Sequence, residues 1–152
     1  MSALLTPESV FRAVNSIFTS MLGLELHPGN GHVALAPGEV KITASVGMAG
    51  DWNGTAILEC SAETAYVLAA AMLSVPFEEI DDDVKDVMGE IANMFAGNVA
   101  RLVPGSAALS PPCVVEGSSY SMDILKARDA VKLPLECQGR GLVVSVVEGS
   151  GG

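Results

Sequence analysis

The sequence contains little positive charge: eight Lys and Arg residues stand against eighteen Asp and Glu, and the net charge at pH 7 is −10. A nucleic-acid-binding surface needs cations to neutralise phosphates, and a polybasic membrane anchor needs clustered Lys and Arg. A basic segment followed by an apolar one, as in a signal peptide, is not found, and no apolar run approaches the roughly 20 residues that span a bilayer. We therefore expect a cytoplasmic protein that binds neither nucleic acid nor membrane.

Cysteine and histidine are also scarce. Cys60, Cys113 and Cys137 are odd in number and far apart, so a disulfide framework is not expected and a reducing cytoplasm is the simpler context. Cys60 and Cys113 lie in strand-like segments, which predicts buried thiols. His27 and His32 have no acidic or thiol cluster at ligand spacing, so no metal site is predicted. The phosphate-binding GxxxxGK[ST] and nucleophile GxSxG motifs are absent.

The 152 residues, of which 49 % are hydrophobic, predict one domain with a substantial core. This domain is expected to span residues 1–147, with residues 148–152 (EGSGG) as a loose tail. Thr6 as N-cap, Pro7 and Glu8 indicate the start of a helix that ends near Gly23. A loop, HPGNGH, follows the helix.

Two strands of a hairpin are predicted next, from Val40 to Val46 and from Thr55 to Cys60, with Asn53-Gly54 either as the turn or as the start of the second strand. Ser61 is placed to cap a second helix. A third helix is predicted to begin at Asp81 to Asp83 and to end near Val103, before Pro104-Gly105. The remaining strand candidates are Ala107 to Val115, Tyr120 to Ala127 with a continuation near Val131 to Glu136, and Gly141 to Val147.

This order of elements indicates an α+β fold. Antiparallel strands would form a sheet, and the long third helix and one or two further helices would pack on it. A doubly wound parallel sheet is not indicated, because strands and helices do not alternate along the chain.

The third helix, which contains DVMGEIANMFAGN, has a narrow polar side. At about 100° per residue, Glu90, Asn93 and Gly97 fall within roughly 40° of Asp86. Such a ridge is common on a solvated helix. However, Asn costs ~0.5 kcal/mol and Gly ~1 kcal/mol relative to Ala in a helix, so the ridge and a flank of small residues would instead suit the close approach of another macromolecule. Asn98 falls on the apolar side and is expected to make structural hydrogen bonds. The flank consists of Gly89, Ala92, Ala96 and Ala100.

Asp86, Glu90 and Asn93, separated by three and then two residues, resemble the motif of the CheC/CheX/FliY phosphatases of bacterial chemotaxis. NMFAGNVA is similar to the continuation found in CheX, SPPCVVEG places Pro112 at the downstream proline of the motif, and NSIFTSMLGLEL resembles the family's first helix. The resemblance extends from about Ser9 to Val147, although the segment from Asn93 to Pro112 is shorter than usual. Only Glu90 is followed by Asn three residues later, which favours CheX, with one site per subunit, over CheC, with two.

The resemblance implies a CheX-like phosphatase that hydrolyses the aspartyl phosphate of a CheY-like receiver domain. Asn93 would orient the attacking water and Glu90 would pair with the receiver's active-site lysine, while Asp86, Gly97, Asn98 and Pro112 would support partner binding. The Mg²⁺ would belong to the receiver, so no cofactor of its own is expected, and a homodimer is implied. Two alternatives remain: a non-catalytic module of the same fold that docks a response regulator or flagellar switch component, and an unrelated interaction domain. The presence of both Glu90 and Asn93 favours the phosphatase.

Overall fold

Helices pack on an antiparallel sheet in the computed structural model, which describes residues 4–29, 40–117 and 128–149. The described part contains three α-helices and seven strands in one sheet, so the predicted α+β fold is confirmed. The helices are α1 (Pro7–Ile17, continued by a π-helical turn, Phe18–Leu22), α2 (Ala62–Leu73) and α3 (Asp82–Ala100). The strands are β1 (His27–Pro28), β2 (Lys41–Gly50), β3 (Gly54–Ser61), β4 (Ala107–Leu109), β5 (Cys113–Gly117), β6 (Arg128–Cys137) and β7 (Arg140–Glu148). The strand order is β1-β6-β7-β3-β2-β4, and β5 also pairs with β2.

The helices begin where their capping residues predict. Thr6 accepts a hydrogen bond from the backbone N–H of Ser9, Ser61 does so from Thr64, and the Asp81 carboxylate accepts from the N–H of Val84 at 2.9 Å. These bonds satisfy N–H groups that have no partner inside a helix. The π-helical turn after α1 ends at Gly23, as predicted, in the left-handed conformation with φ +67°.

The third helix is shorter than predicted. It ends at Ala100, and the N–H of Leu102 bonds three residues back to Val99 at 2.8 Å, which tightens the last turn. The following turn reaches Ser106, whose N–H donates to the Asp51 carboxylate at 2.9 Å. This contact with the β2–β3 loop draws the chain away from the helix axis before Val103 can join α3.

The strands settle one open alternative and differ from the predictions elsewhere. Gly54 begins β3, in agreement with the second alternative for Asn53-Gly54, so the hairpin turn lies before it. The candidate from Ala107 to Val115 is two strands, β4 and β5, because the Pro111-Pro112 pair between them has no N–H to donate to the ladder. The predicted strand from Tyr120 to Ala127 lies outside the described residues, and its continuation is β6. His27–Pro28, within the predicted loop, is a short strand on β6, and Glu148, assigned to the tail, is the last residue of β7.

The main core lies between the sheet and the helices. Alternate residues of β2 and β3 face the helices, and the largest buried side chains of the helices meet them there. The central members are Phe18, Leu68, Met88, Ile91, Phe95, Ile42, Val46 and Leu58. Because the buried face of α3 is fixed by this core, its opposite face is fixed toward solvent.

The cysteines differ in environment. Cys60 and Cys137 are buried, and burial raises the pKa of both thiols, with the Glu59 carboxylate contributing at Cys60. The prediction that Cys113 is buried is wrong, since its side chain is exposed. Cys113 is the first residue of β5, which has a single neighbour, β2, among the described strands.

Candidate functional site

The polar ridge of α3 is exposed. Asp86 and Glu90 are exposed and Asn93 is partly exposed, whereas the residues on the opposite side of the helix are buried in the core. Residues three apart on a helix lie side by side, with about 5–6 Å between their Cβ atoms, so the Glu90 carboxylate and the Asn93 amide are presented together. The buried set is Val84, Val87, Met88, Gly89, Ile91, Ala92, Phe95, Ala96 and Val99.

The functional groups of the ridge have no bonding partner in the part of the chain that the structure describes. Among the described residues, no hydrogen bond or ion pair engages the side chains of Asp86, Glu90 or Asn93. The Asn93 amide therefore keeps its oxygen acceptor and both N–H donors, and Glu90 keeps its carboxylate oxygens. This arrangement can hold a water molecule and contact a cation, both supplied from outside the domain.

The flank of small residues has a different role from the one predicted. Gly89, Ala92 and Ala96 are buried, so this flank contacts the domain's own structure and is not open to a partner. A Cβ atom at Gly89 would lie 3.3 Å from Cβ of Pro112 and 3.6 Å from Cγ2 of Val114. The missing side chain at Gly89 thus lets the segment that contains Pro112 pack on α3, next to Glu90.

Pro112 is exposed and borders the ridge. The short segment between Asn93 and Pro112 therefore still returns this proline to the helix that carries Glu90. A rigid, apolar proline beside a carboxylate offers exposed surface whose conformation is already restricted, since its φ angle is fixed.

Gly97 is open. A Cβ atom built at Gly97 meets nothing within 4 Å, so close packing does not require glycine at this position. Gly97 lies one turn after Asn93 on the same side of α3, and the surface is low there. The position tolerates a side chain sterically within the domain, but a side chain would fill the space next to the Asn93 amide.

Asn98 joins α3 to α1, in agreement with the predicted structural hydrogen bonding. Its Nδ2 donates to the carbonyl oxygen of Ala13 at 2.8 Å and to Oγ of Ser16 at 3.3 Å, and its Oδ1 accepts from Nη2 of Arg101 at 2.7 Å. Arg101 and Arg12 line a groove of about 290 Å³ between the two helices. Sequence reasoning missed both arginines, although Arg101 follows Gly97 by four residues and thus extends the ridge.

The described ranges contain neither a metal-binding cluster nor a membrane-spanning helix. No group of three or more His, Cys, Asp and Glu residues in these ranges is arranged to hold a metal ion. No helix there has the length and apolar character needed to cross a membrane.

The fold is that of known chemotaxis proteins. The chain is similar to chemotaxis protein CheX from Desulfovibrio desulfuricans (TM-score 0.76, 21% identity, covering 93% of this chain and 97% of that one) and to CheX from Vibrio vulnificus (0.77, 18%, 98% and 100%). It is also similar to the solved CheX–CheY–BeF₃–Mg²⁺ complex from Borrelia burgdorferi (0.65, 20%, 94% and 97%). A search of curated proteins gives no match.

Sequence comparison then defines the family. The model of a family described as chemotaxis phosphatase CheX matches residues 42–136, which include β2 to β5, most of β6, and the complete ridge of α3. The chain therefore belongs to the CheX family of chemotaxis phosphatases.

Proposed function

We propose that this protein dephosphorylates the aspartyl phosphate of a CheY-like receiver domain, with Asn93 and Glu90 as the residues that act on the receiver. The observation that carries the proposal is the pair itself: an amide and a carboxylate that lie side by side, exposed and without partners among the described residues, on the helix of a CheX-family domain. The Borrelia structure holds a CheX protein together with CheY, BeF₃ and Mg²⁺, which supports a receiver as the partner here.

The reaction is a hydrolysis of an acyl phosphate. Water attacks phosphorus, the bond between phosphorus and the aspartyl oxygen breaks in line with the attack, and the products are the free aspartate carboxylate and inorganic phosphate. The transition state of such phosphoryl transfers is loose, so positioning contributes more than covalent help. The Asn93 oxygen would accept a hydrogen bond from the water, and this bond would orient a lone pair of the water oxygen toward phosphorus.

Glu90 would dock the partner. Its carboxylate would form a charge-assisted hydrogen bond with the lysine of the receiver's active site, and the adjacent Asn93 would thereby be placed over the phosphoryl group. The receiver would supply the Mg²⁺. Asp86, Gly97 and Pro112 would border the contact, and Asn98 would support it indirectly, by fixing α3 on α1. We further propose that the protein acts in the cytoplasm as a homodimer, as the family resemblance implies.

The test is the variant Asn93→Ala. Loss of the amide should abolish stimulated decay of a phosphorylated receiver, while the fold is kept, because Ala is the better helix former by ~0.5 kcal/mol. Asn15→Ala is the matched control, since Asn15 is a partly exposed asparagine on α1. An Asn93→Ala protein as active as the Asn15→Ala control would rule out the proposed role.

A non-catalytic docking module is the second candidate, and the same assay separates the two. A module would bind receivers loaded with beryllofluoride and Mg²⁺ but would not change the rate at which the phosphorylated receiver decays. The presence of the asparagine beside Glu90 favours hydrolysis, because docking through a lysine requires only the carboxylate.

A further inference from the structure

Two arginines lie at one end of the ridge without a carboxylate partner. Among the described residues, Lys41, Lys85 and Arg140 each pair with a glutamate at 3.4–3.5 Å. Arg12, Arg101 and Lys132 form no such pair, although the protein has eighteen Asp and Glu residues, and the two arginines line one groove. Cations that remain unpaired on so acidic a protein are available to an acidic partner.

The charges along α3 are ordered. The acidic residues Asp82, Asp83, Asp86 and Glu90 occupy its first half, where the one cation, Lys85, is paired with Glu116, and Arg101 follows its last residue. At 100° and 1.5 Å per residue, Arg101 points within about 20° of Glu90 and lies about 12 Å beyond Asn93 along the axis. The exposed side of α3 therefore runs from negative to positive, with the proposed catalytic amide between the two ends.

Arg101 is held in place for binding. Its Nη2 donates to Oδ1 of Asn98 at 2.7 Å, which orients the planar guanidinium at the wall of the groove. A guanidinium has five N–H donors, so the others stay available. Arg12 lines the same groove from α1, together with the hydroxyl-bearing residues Ser9 and Ser16. Paired guanidinium groups match the geometry of carboxylates.

We propose that this arginine groove, lined by Arg12 and Arg101, binds acidic side chains of the receiver domain beside its phosphorylation site. The proposal rests on the function proposed above. A receiver's phosphorylation site must hold Mg²⁺, which proteins bind through carboxylates and phosphoryl oxygens, so its rim is acidic. A catalyst of net charge −10 repels such a surface, and the two arginines offset that repulsion at one end of the ridge.

The consequence is a fixed orientation of the partner. Glu90 binds the receiver's lysine at one end of the ridge, and the arginine groove binds the receiver's carboxylates at the other end. A receiver turned by 180° would bring like charges together at both ends, which disfavours the wrong complex. The groove therefore contributes to capture and orientation, and not to the hydrolytic step.

The test uses the full chain and the receiver-domain proteins of the same genome, phosphorylated with acetyl phosphate. Arg12→Glu should raise KM by about two- to fivefold, the range expected for one exposed charge pair, and should leave kcat unchanged. The double variant Arg12→Glu, Arg101→Gln should raise KM further. Lys132→Glu is the control: Lys132 is exposed on β6, its register partner is Ser145 on β7, and the change in net charge is the same.

Ionic strength gives an independent readout. The difference in KM between Arg12→Glu and Lys132→Glu should shrink between about 50 mM and about 500 mM NaCl, because salt screens exposed charges. A substitution of Asp or Glu to Lys near the receiver's phosphorylation site should then restore the affinity of Arg12→Glu. Equal KM values for the Arg12→Glu and Lys132→Glu variants at low salt would overturn the proposal, even if inorganic phosphate bound the groove.

Failure of the proposed function can be distinguished from failure of the docking proposal. If the wild-type protein does not accelerate the decay of any phosphorylated receiver, the proposed hydrolysis is disproved. Binding to beryllofluoride-loaded receivers then decides the docking proposal. Weaker binding by Arg12→Glu than by Lys132→Glu supports the groove as the docking site. Equal binding by the two variants, or no binding by the wild type, overturns it.

Discussion

The substitution Gly97→Leu separates docking from folding at a single position. Glycine in a helix interior is less stable than leucine by nearly ~1 kcal/mol. A Cβ atom at Gly97 meets nothing within 4 Å, so no clash at Cβ opposes this gain. The free energy of unfolding should rise by ~0.5–1 kcal/mol, and the thermal midpoint of a domain of this size should rise by about 1–4 °C.

Activity should change in the opposite direction. The new isobutyl group would stand one turn from Asn93, with about 5–6 Å between the Cβ atoms. If α3 enters a cleft at the receiver's phosphorylation site, the isobutyl group holds the Asn93 amide back from the phosphoryl oxygens. A displacement of about 1 Å at a catalytic group is enough to lower the rate by about a hundredfold, so kcat/KM should fall by at least that factor.

Gly89 provides the matched control on the same helix. A Cβ atom there would lie 3.3 Å from Pro112, which is tighter than ordinary contact. Gly89→Leu should therefore overpack and destabilise the domain by ~1–3 kcal/mol. The two variants together require a thermal melt and a phospho-receiver decay assay. Gly97→Leu with unchanged activity and an unchanged or higher midpoint refutes the docking argument, and a clearly lowered midpoint refutes the geometry from which the stability gain is derived.

Three further predictions follow from individual side chains. Glu90→Lys should weaken binding to a beryllofluoride-loaded receiver more than Glu90→Ala does, because it brings like charges together; equal titration curves would exclude Glu90 as the docking group. Asn98→Ala should lower the free energy of unfolding by ~1–3 kcal/mol in a urea titration, because the bonds that tie α3 to α1 are lost, and an unchanged midpoint would contradict this. A thiol reagent should modify Cys113 rapidly in the native protein, whereas Cys60 and Cys137 should react only after denaturation. The reason is that burial both shields these two thiols and raises their pKa. Three rapidly reacting thiols in the native protein would disprove the burial.

Local signals in the sequence were sufficient to predict where the helices begin. The side chains of Thr6, Ser61 and Asp81 bond to backbone groups within three residues, so their effect on the chain does not depend on the rest of the fold. The periodicity of apolar residues in α3 also determined which face is buried, and with it the exposure of Glu90 and Asn93. The α+β class followed from the order of such elements.

Contacts between distant parts of the chain were not predictable in this way. The sequence placed Gly89 on a flank open to a partner, yet Gly89 lies under Pro112 while Gly97 is open, because the path of the chain after β4 decides which is covered. The same applies to the arginine groove, which forms only when α1 packs beside α3. Cys113 lies on β5, which has β2 as its single neighbour among the described strands, and this is a matter of strand order that no local pattern encodes.

The proposed mechanism makes the rigidity of α3 a functional requirement. A residue that only orients water adds nothing unless its amide is held within a fraction of an ångström of the productive position. Three contacts hold α3 from different directions: the Asp81 cap at its start, the packing of Pro112 on Gly89 at its middle, and the bonds from Asn98 to α1 near its end. Loosening any of them should therefore reduce kcat more than it raises KM, whereas loss of charge at the ridge or in the arginine groove should act chiefly on KM.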